Sequence, residues 1–107
     1  MATRSLRVVF LSTARADLEE INAYWVSREE PDRGAKYCHD LPTEAFRRLT
    51  DPTAARAGRK VPHSQLQEVQ EIRVFGGSYR IIYRRKEEEG IVEVMRFWHS
   101  HRREPFS

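Results

Sequence analysis

Tyr79-Arg80-Ile81-Ile82-Tyr83-Arg84, a charged turn from Lys86 to Gly90, and then Ile91-Val92-Glu93-Val94-Met95-Arg96-Phe97-Trp98-His99 read as two neighbouring sheet strands. Side chains reverse direction at every residue of a strand, so Tyr79, Ile81 and Tyr83 share one face while Arg80, Ile82 and Arg84 share the other. One face is expected to enter a core and the other to carry cations. His101-Arg102-Arg103 follows, gathering arginines and histidines on and just beyond the strands. Such a surface is suited to something anionic, either nucleic acid or an acidic protein segment.

Working outward, Glu68 to Phe75 alternates as a third strand, and Gly76-Gly77-Ser78 supplies the tight turn, giving an antiparallel meander. Before it, Thr53 to Gln67 reads as a long loop whose charged members are Arg56, Arg59, Lys60 and His63. A connection of that length in a small domain is more often functional or mobile than a mere spacer. Leu6 to Leu11 suits a first strand, with Ser12 or Thr13 capping a helix whose apolar stripe is Ala14, Leu18, Ile21 and Trp25. Arg15, Asp17, Glu19 and Glu20 are expected on its outer faces. Glu29-Glu30-Pro31-Asp32 breaks that helix, and Pro31 opens a second with the stripe Cys38, Leu41, Ala45 and Leu49. Pro42 predicts a kink or break, and Asp51-Pro52 closes the hairpin. The expected fold is α+β: an N-terminal strand and a helical hairpin packed on a twisted antiparallel β-meander, as one domain over residues 1–107. Tyr24, Trp25, Phe46, Tyr79, Tyr83 and Phe97 are read as core aromatics. Trp98 is read as pointing outward beside Arg96, to cover the sheet edge or dock a partner.

Composition narrows the function. The chain has 107 residues, 39% hydrophobic and 33% charged, and its apolar residues are clustered, which favours one compact core over disorder. A formal charge of +3 permits nucleic-acid binding without demanding it. Cys38 is the only cysteine, excluding an internal disulfide and a cysteine zinc cluster. The histidines lack flanking ligands, so neither metal nor cofactor is expected. No run is long enough to span a bilayer, and Met1 to Leu11 has no signal-peptide core, so no membrane partner and a cytoplasmic location are expected.

In this order, Ala16-Asp17-Leu18-Glu19-Glu20-Ile21 with Tyr24, Ala45-Phe46 with Leu49 and Pro52, Gly58-Arg59, Glu71-Ile72-Arg73, Tyr79-Arg80-Ile81-Ile82-Tyr83, and His99 with Arg102 resemble the toxin superfamily of the ParE and RelE families. The resemblance spans nearly the whole chain and implies the same hairpin-on-meander fold. It also implies a toxin neutralised by a cognate antitoxin. RelE-like members cleave messenger RNA on the ribosome, whereas ParE-like members block DNA gyrase without established hydrolytic chemistry, so the shared fold cannot choose between them. Arg73, Arg80 and Arg102 fall where RelE-like enzymes carry important basic side chains. Glu71 stands where such an enzyme has a lysine, and no tyrosine follows near Phe106.

His99 or His101 offers a titratable substitute for that tyrosine, but His99 also fits a structural role bridging backbone and side-chain groups. Arg80 has a structural reading as well, in an ion pair with Glu71 or Glu93. Glu44 and Glu71 are better explained as solvated positions than as catalytic bases. The incomplete RNA-cleavage set favours the ParE-like branch, acting by protein contact on gyrase. Arg73, Arg80, Trp98, His99, His101, Arg102 and Arg103 would then meet the target or the antitoxin. The alternatives are a RelE-like ribonuclease acting on the ribosome and its mRNA with Arg73, Arg80, His99 and Arg102, and a non-toxic interaction module of the same fold.

Overall fold

Alternating apolar residues pair into one five-stranded sheet. The structure, a computed structural model, describes residues 5–61 and 68–100. Its strands are β1 (Arg7–Phe10), β2 (Arg59–Lys60), β3 (Val69–Val74), β4 (Tyr79–Lys86) and β5 (Ile91–His99), in the spatial order β1-β5-β4-β3-β2. β3, β4 and β5 form the expected antiparallel meander, with Ile81 opposite both Ile72 and Phe97. β1 adds parallel to β5, from Arg7 opposite Ile91 to Phe10 opposite Val94, so the sheet is mixed. Between β4 and β5 the register shifts after Ile82: Ile82 faces Arg96 and Tyr83 faces Val94, leaving Met95 as the extra residue of a bulge. The bulge lets Val94 and Phe97, three positions apart, both enter the core.

Helices α1 (Ser12–Ser27), α2 (Pro31–Leu49) and α3 (Pro52–Arg56) complete the fold. The predicted stripes meet the sheet: Ala14, Ile21, Leu41, Ala45 and Leu49 are buried with Ile72, Val74, Tyr79, Ile81, Tyr83, Val92, Val94 and Phe97, while Leu18 and Trp25 pack partly buried against them. α2 runs unbroken through Pro42, so the break that the sequence allowed does not occur. Burial of Leu41, Ala45 and Leu49 holds the two halves on one core, and tertiary packing of this kind outweighs the loss of one helix hydrogen bond. Close packing of the hairpin requires Gly34, where an added Cβ would lie 2.7 Å from Asn22 Oδ1 and 3.2 Å from Trp25 Cβ.

Four expectations of exposure or disorder are corrected. Asp17, placed on an outer face, is buried, because it takes over the edge of β5 where β1 stops. There Leu11 N–H donates to Val94 O (3.0 Å), Thr13 Oγ1 to Met95 O (2.6 Å) and Phe97 N–H to Asp17 Oδ2 (3.0 Å). Thr13 is thus used across the chain, and the helix carries no side-chain N-cap. Tyr24 and Phe46, read as core aromatics, are exposed, lying off the buried stripes of their helices. The segment read as a loop from Thr53 begins instead as α3 and β2, held by the Asp51 side chain, which accepts Thr53 N–H (3.0 Å), and by pairing of Arg59 with Glu71. His63, read as part of that loop, lies outside the described residues.

Tyr83 locks α3 to the sheet: its hydroxyl donates to Ala55 O (2.6 Å) and occupies the space where a Cβ on Gly58 would sit, 1.8 Å away. Burial pushes this phenol from the ordinary 10.0 up to about 12. The folded state therefore holds the proton more tightly than the unfolded chain. Its contribution is fully present below pH 10 and is lost as the pH rises through about 12. Two pH units correspond to roughly 2–3 kcal/mol. Denaturant titrations of the wild type should show this alkaline loss, and Tyr83→Phe should remove most of it.

Candidate functional site

Register brings three of the predicted site residues into one row. Arg73 on β3 lies opposite Arg80 on β4, which lies opposite Trp98 on β5. The row is on the face turned away from the helices, because the neighbouring residues Ile72, Ile81 and Phe97 enter the helix-side core. His99 lies opposite Tyr79 and shares the helix-side face with it. His101, Arg102 and Arg103 lie outside the described residues.

Within the row the three side chains differ. Arg80 is buried and donates through Nη1 to Glu71 Oε2 at 3.1 Å, with the two side chains only 3% and 2% exposed. Glu71, expected at a solvated position, is therefore a buried counter-charge, and Glu93, the other candidate partner, accepts from Arg84 (2.8 Å) and pairs with Lys86 (3.5 Å). Those contacts hold the Glu93 carboxyl below its usual range, chiefly through the Arg84 hydrogen bond. Trp98, expected to point outward, does leave the main core, yet it is buried in a second cluster with Val61, Val69 and Ile82. The Arg96 guanidinium lies 4.8 Å from its ring centroid. Arg73 alone in the row is exposed, and its side chain makes no hydrogen bond or ion pair among the described residues. Its backbone carbonyl accepts from Arg48 Nη1 at 3.2 Å.

His99 belongs to a closed circuit of rings. Tyr24 meets Trp25 (4.9 Å between centroids), Trp25 meets Tyr37 (5.8 Å), Tyr37 meets Tyr79 (4.8 Å), Tyr79 meets His99 edge-on (5.0 Å), and His99 returns to Tyr24 (6.0 Å). Trp25 Nε1 donates to Tyr79 Oη at 3.0 Å, and burial raises the Tyr79 phenol. Arg28 and Arg33 cover the outside of the circuit, over Tyr24 and Trp25. Such contacts join the ends of α1, α2, β4 and β5 into a packed aromatic wall.

Sequence reasoning missed the link between the two faces. Asp17 accepts from Arg96 through Nε (2.7 Å) and Nη2 (2.9 Å), and this pairing raises the guanidinium pKa. A signal was present: Ala14, Asp17 and Ile21 are spaced three and four apart, the period of one helix face, so an acid stood on the buried stripe and required a cationic partner.

Chemically, the arrangement is poor in free catalytic groups. The sheet separates His99 from Arg73 and Arg80, and Arg80 is already neutralised by Glu71. Among the described residues no group of three His, Cys, Asp or Glu side chains is placed to hold a metal ion, and no helix is long and apolar enough to cross a membrane.

Comparison with known proteins then gives a family. The family described as the ParE toxin of the type II toxin–antitoxin system, parDE, matches residues 8–104. Among solved structures, the chain is similar to the chromosomal ParDE toxin–antitoxin system from P. aeruginosa, with a TM-score of 0.71 and 19% identity over 89% of this chain and 96% of that one. It is also similar to the RelBE2 toxin–antitoxin complex from Mycobacterium tuberculosis, with a TM-score of 0.65 and 23% identity over 92% of this chain and 94% of that one. At these identities the structural likeness shows the shared fold. No curated protein matches.

Proposed function

Because the chain belongs to the ParE toxin family of type II toxin–antitoxin systems, we propose that it acts by protein–protein contact on DNA gyrase and is held inactive by a cognate antitoxin. The observation that carries this reading is the buried Arg80–Glu71 pair. Cleavage of RNA requires cations free to stabilise charge on a scissile phosphate, together with a positioned acid or base. Here one of the two described candidate cations is consumed inside the protein, and the described imidazole of the set is on the other face of the sheet. Contact with a protein target needs no such convergence.

The exposed Arg73 is the feature that favours the second reading, a RelE-like ribonuclease acting on ribosome-bound mRNA. Expression of the chain alone is expected to arrest growth, and coexpression of the antitoxin to restore it. Purified protein should inhibit gyrase supercoiling and leave mRNA on translating ribosomes intact. Cleavage of that mRNA with unimpaired supercoiling would establish the ribonuclease reading. Inactivity in both assays, with normal growth at high levels of the protein, would leave an interaction module.

A further inference from the structure

Charge is divided unequally between the two sides of the sheet. Alternation and register place Arg7 on β1, Arg96 on β5, Arg80, Arg84 and Lys86 on β4, Arg73 on β3 and Arg59 on β2 all on the face turned away from the helices. Only Glu71 and Glu93 join them among the strand residues of that face, so seven cations against two carboxylates give it a net charge of +5. The other described residues carry nine cations and thirteen carboxylates, a net −4. A field polarised in this way turns the sheet face, and not the helices, toward a polyanion.

The carboxylates at this face are already engaged. Glu71 pairs with Arg80, Glu93 with Arg84 and Lys86, and Asp17 reaches Arg96 from α1. Those contacts tie four of the cations into the architecture of the sheet. Arg7, Arg59 and Arg73 are exposed, so the surplus charge is carried by side chains that reach water. Each ends in the planar fork that fits a phosphate. They are also spread widely, because β1 and β2 are the two outer strands, four strand spacings or about 19 Å apart. A peptide laid along the sheet meets one of these edges. A nucleic-acid duplex, whose major groove alone is about 12 Å wide, reaches from one to the other.

We propose that this sheet face binds the phosphate backbone of duplex DNA held by gyrase, so that the toxin grips the enzyme and its substrate together. The proposal rests on the gyrase reading above and adds a second partner to it. Arg59 and Arg73 take phosphates on one side of the sheet and Arg7 on the other. Arg80 is neutralised by Glu71 and His99 lies on the opposite face, so the DNA is held there without a set of groups to cut it.

Titration of the labelled full chain with gyrase alone, and with gyrase loaded with a linear duplex, tests this. The loaded enzyme should bind at least about tenfold more tightly, and that gain should fall with salt on a log–log slope of about −3, as for three phosphate contacts. Arg7→Ala/Arg59→Ala/Arg73→Ala should abolish the gain, and each single change should reduce the slope by about one. Arg15→Ala/Lys36→Ala, on the helices, should retain it. All five positions are exposed, and thermal melting reports that each variant is folded. Binding to gyrase that ignores the DNA, or a gain that survives the triple variant, overturns the assignment of this face and leaves the gyrase reading standing. Failure to bind gyrase in either state overturns that reading and the proposal with it. Single-stranded RNA of the same length held more tightly than the free duplex, through the same three arginines, assigns the face to RNA and overturns the proposed occupant.

Discussion

Glu71→Ala should lower the unfolding free energy by about 3–5 kcal/mol, the range for removing one partner of a buried ion pair. Arg80 would be left charged and 3% exposed on a sheet face where Ile82, Val69 and Trp98 are also buried. Most of that loss is the cost of a buried charge deprived of its Glu71 counter-charge, so removing the charge as well should recover stability. The double variant Glu71→Met/Arg80→Met is therefore expected to be more stable than Glu71→Ala and close to wild type. Denaturant unfolding with unchanged m-values reads both effects. A loss below about 1 kcal/mol in Glu71→Ala would mean that the pair is solvated and behaves as a surface salt bridge. Growth arrest adds the functional contrast. If Arg80 contributes only to the architecture, a folded double variant still arrests growth; a folded variant without toxicity would return Arg80 to the working surface.

Asp17→Ala should cost about 3 kcal/mol or more, because it removes a buried acceptor shared by a guanidinium and a backbone amide. Arg96 Nε and Nη2 and the Phe97 N–H all donate to this carboxylate. Arg96 is partly exposed and can regain water, whereas Phe97 N–H is buried and would be orphaned at the edge of β5. Asp17→Asn separates the two contributions, since an amide oxygen can still accept from Phe97 while the charge opposite Arg96 is gone. Its stability should fall between wild type and Asp17→Ala. The exchange rate of the Phe97 amide tells the cases apart: fast in the alanine variant, slow in the asparagine variant.

The meander was legible because a period of two is a strong local signal: Tyr79, Ile81 and Tyr83 could share a face only in a strand, and all three are buried. The helical stripes followed from the same reasoning with a longer period. What the local pattern could not carry was long-range pairing. Nothing near Arg7-Val8-Val9-Phe10 says that its neighbour is β5 or that the pairing is parallel. Asp17 was misplaced because its charge outweighed its position on the stripe, although the counter-charge, Arg96, lies seventy-nine residues away. Of the candidate site, the shared face of Arg80 and Arg84 followed from alternation. The burial of Arg80 depended on Glu71 arriving from the adjacent strand, and Trp98 on a second apolar cluster assembled from Val61, Val69 and Ile82.

Pairing of β1 with β5 also governs when the toxin comes into being. A ribosome makes Arg7 long before Ile91, so the first strand leaves the tunnel without its neighbour, and α1 emerges before the β5 edge that it covers. Contacts between such distant parts of a chain form only after the full entropic cost of closing the intervening loop, which makes them late and slow. β5 is also the strand that joins β1 to the meander. A partly synthesised chain therefore has no complete sheet and no finished aromatic wall until the strand ending at His99 has been delivered.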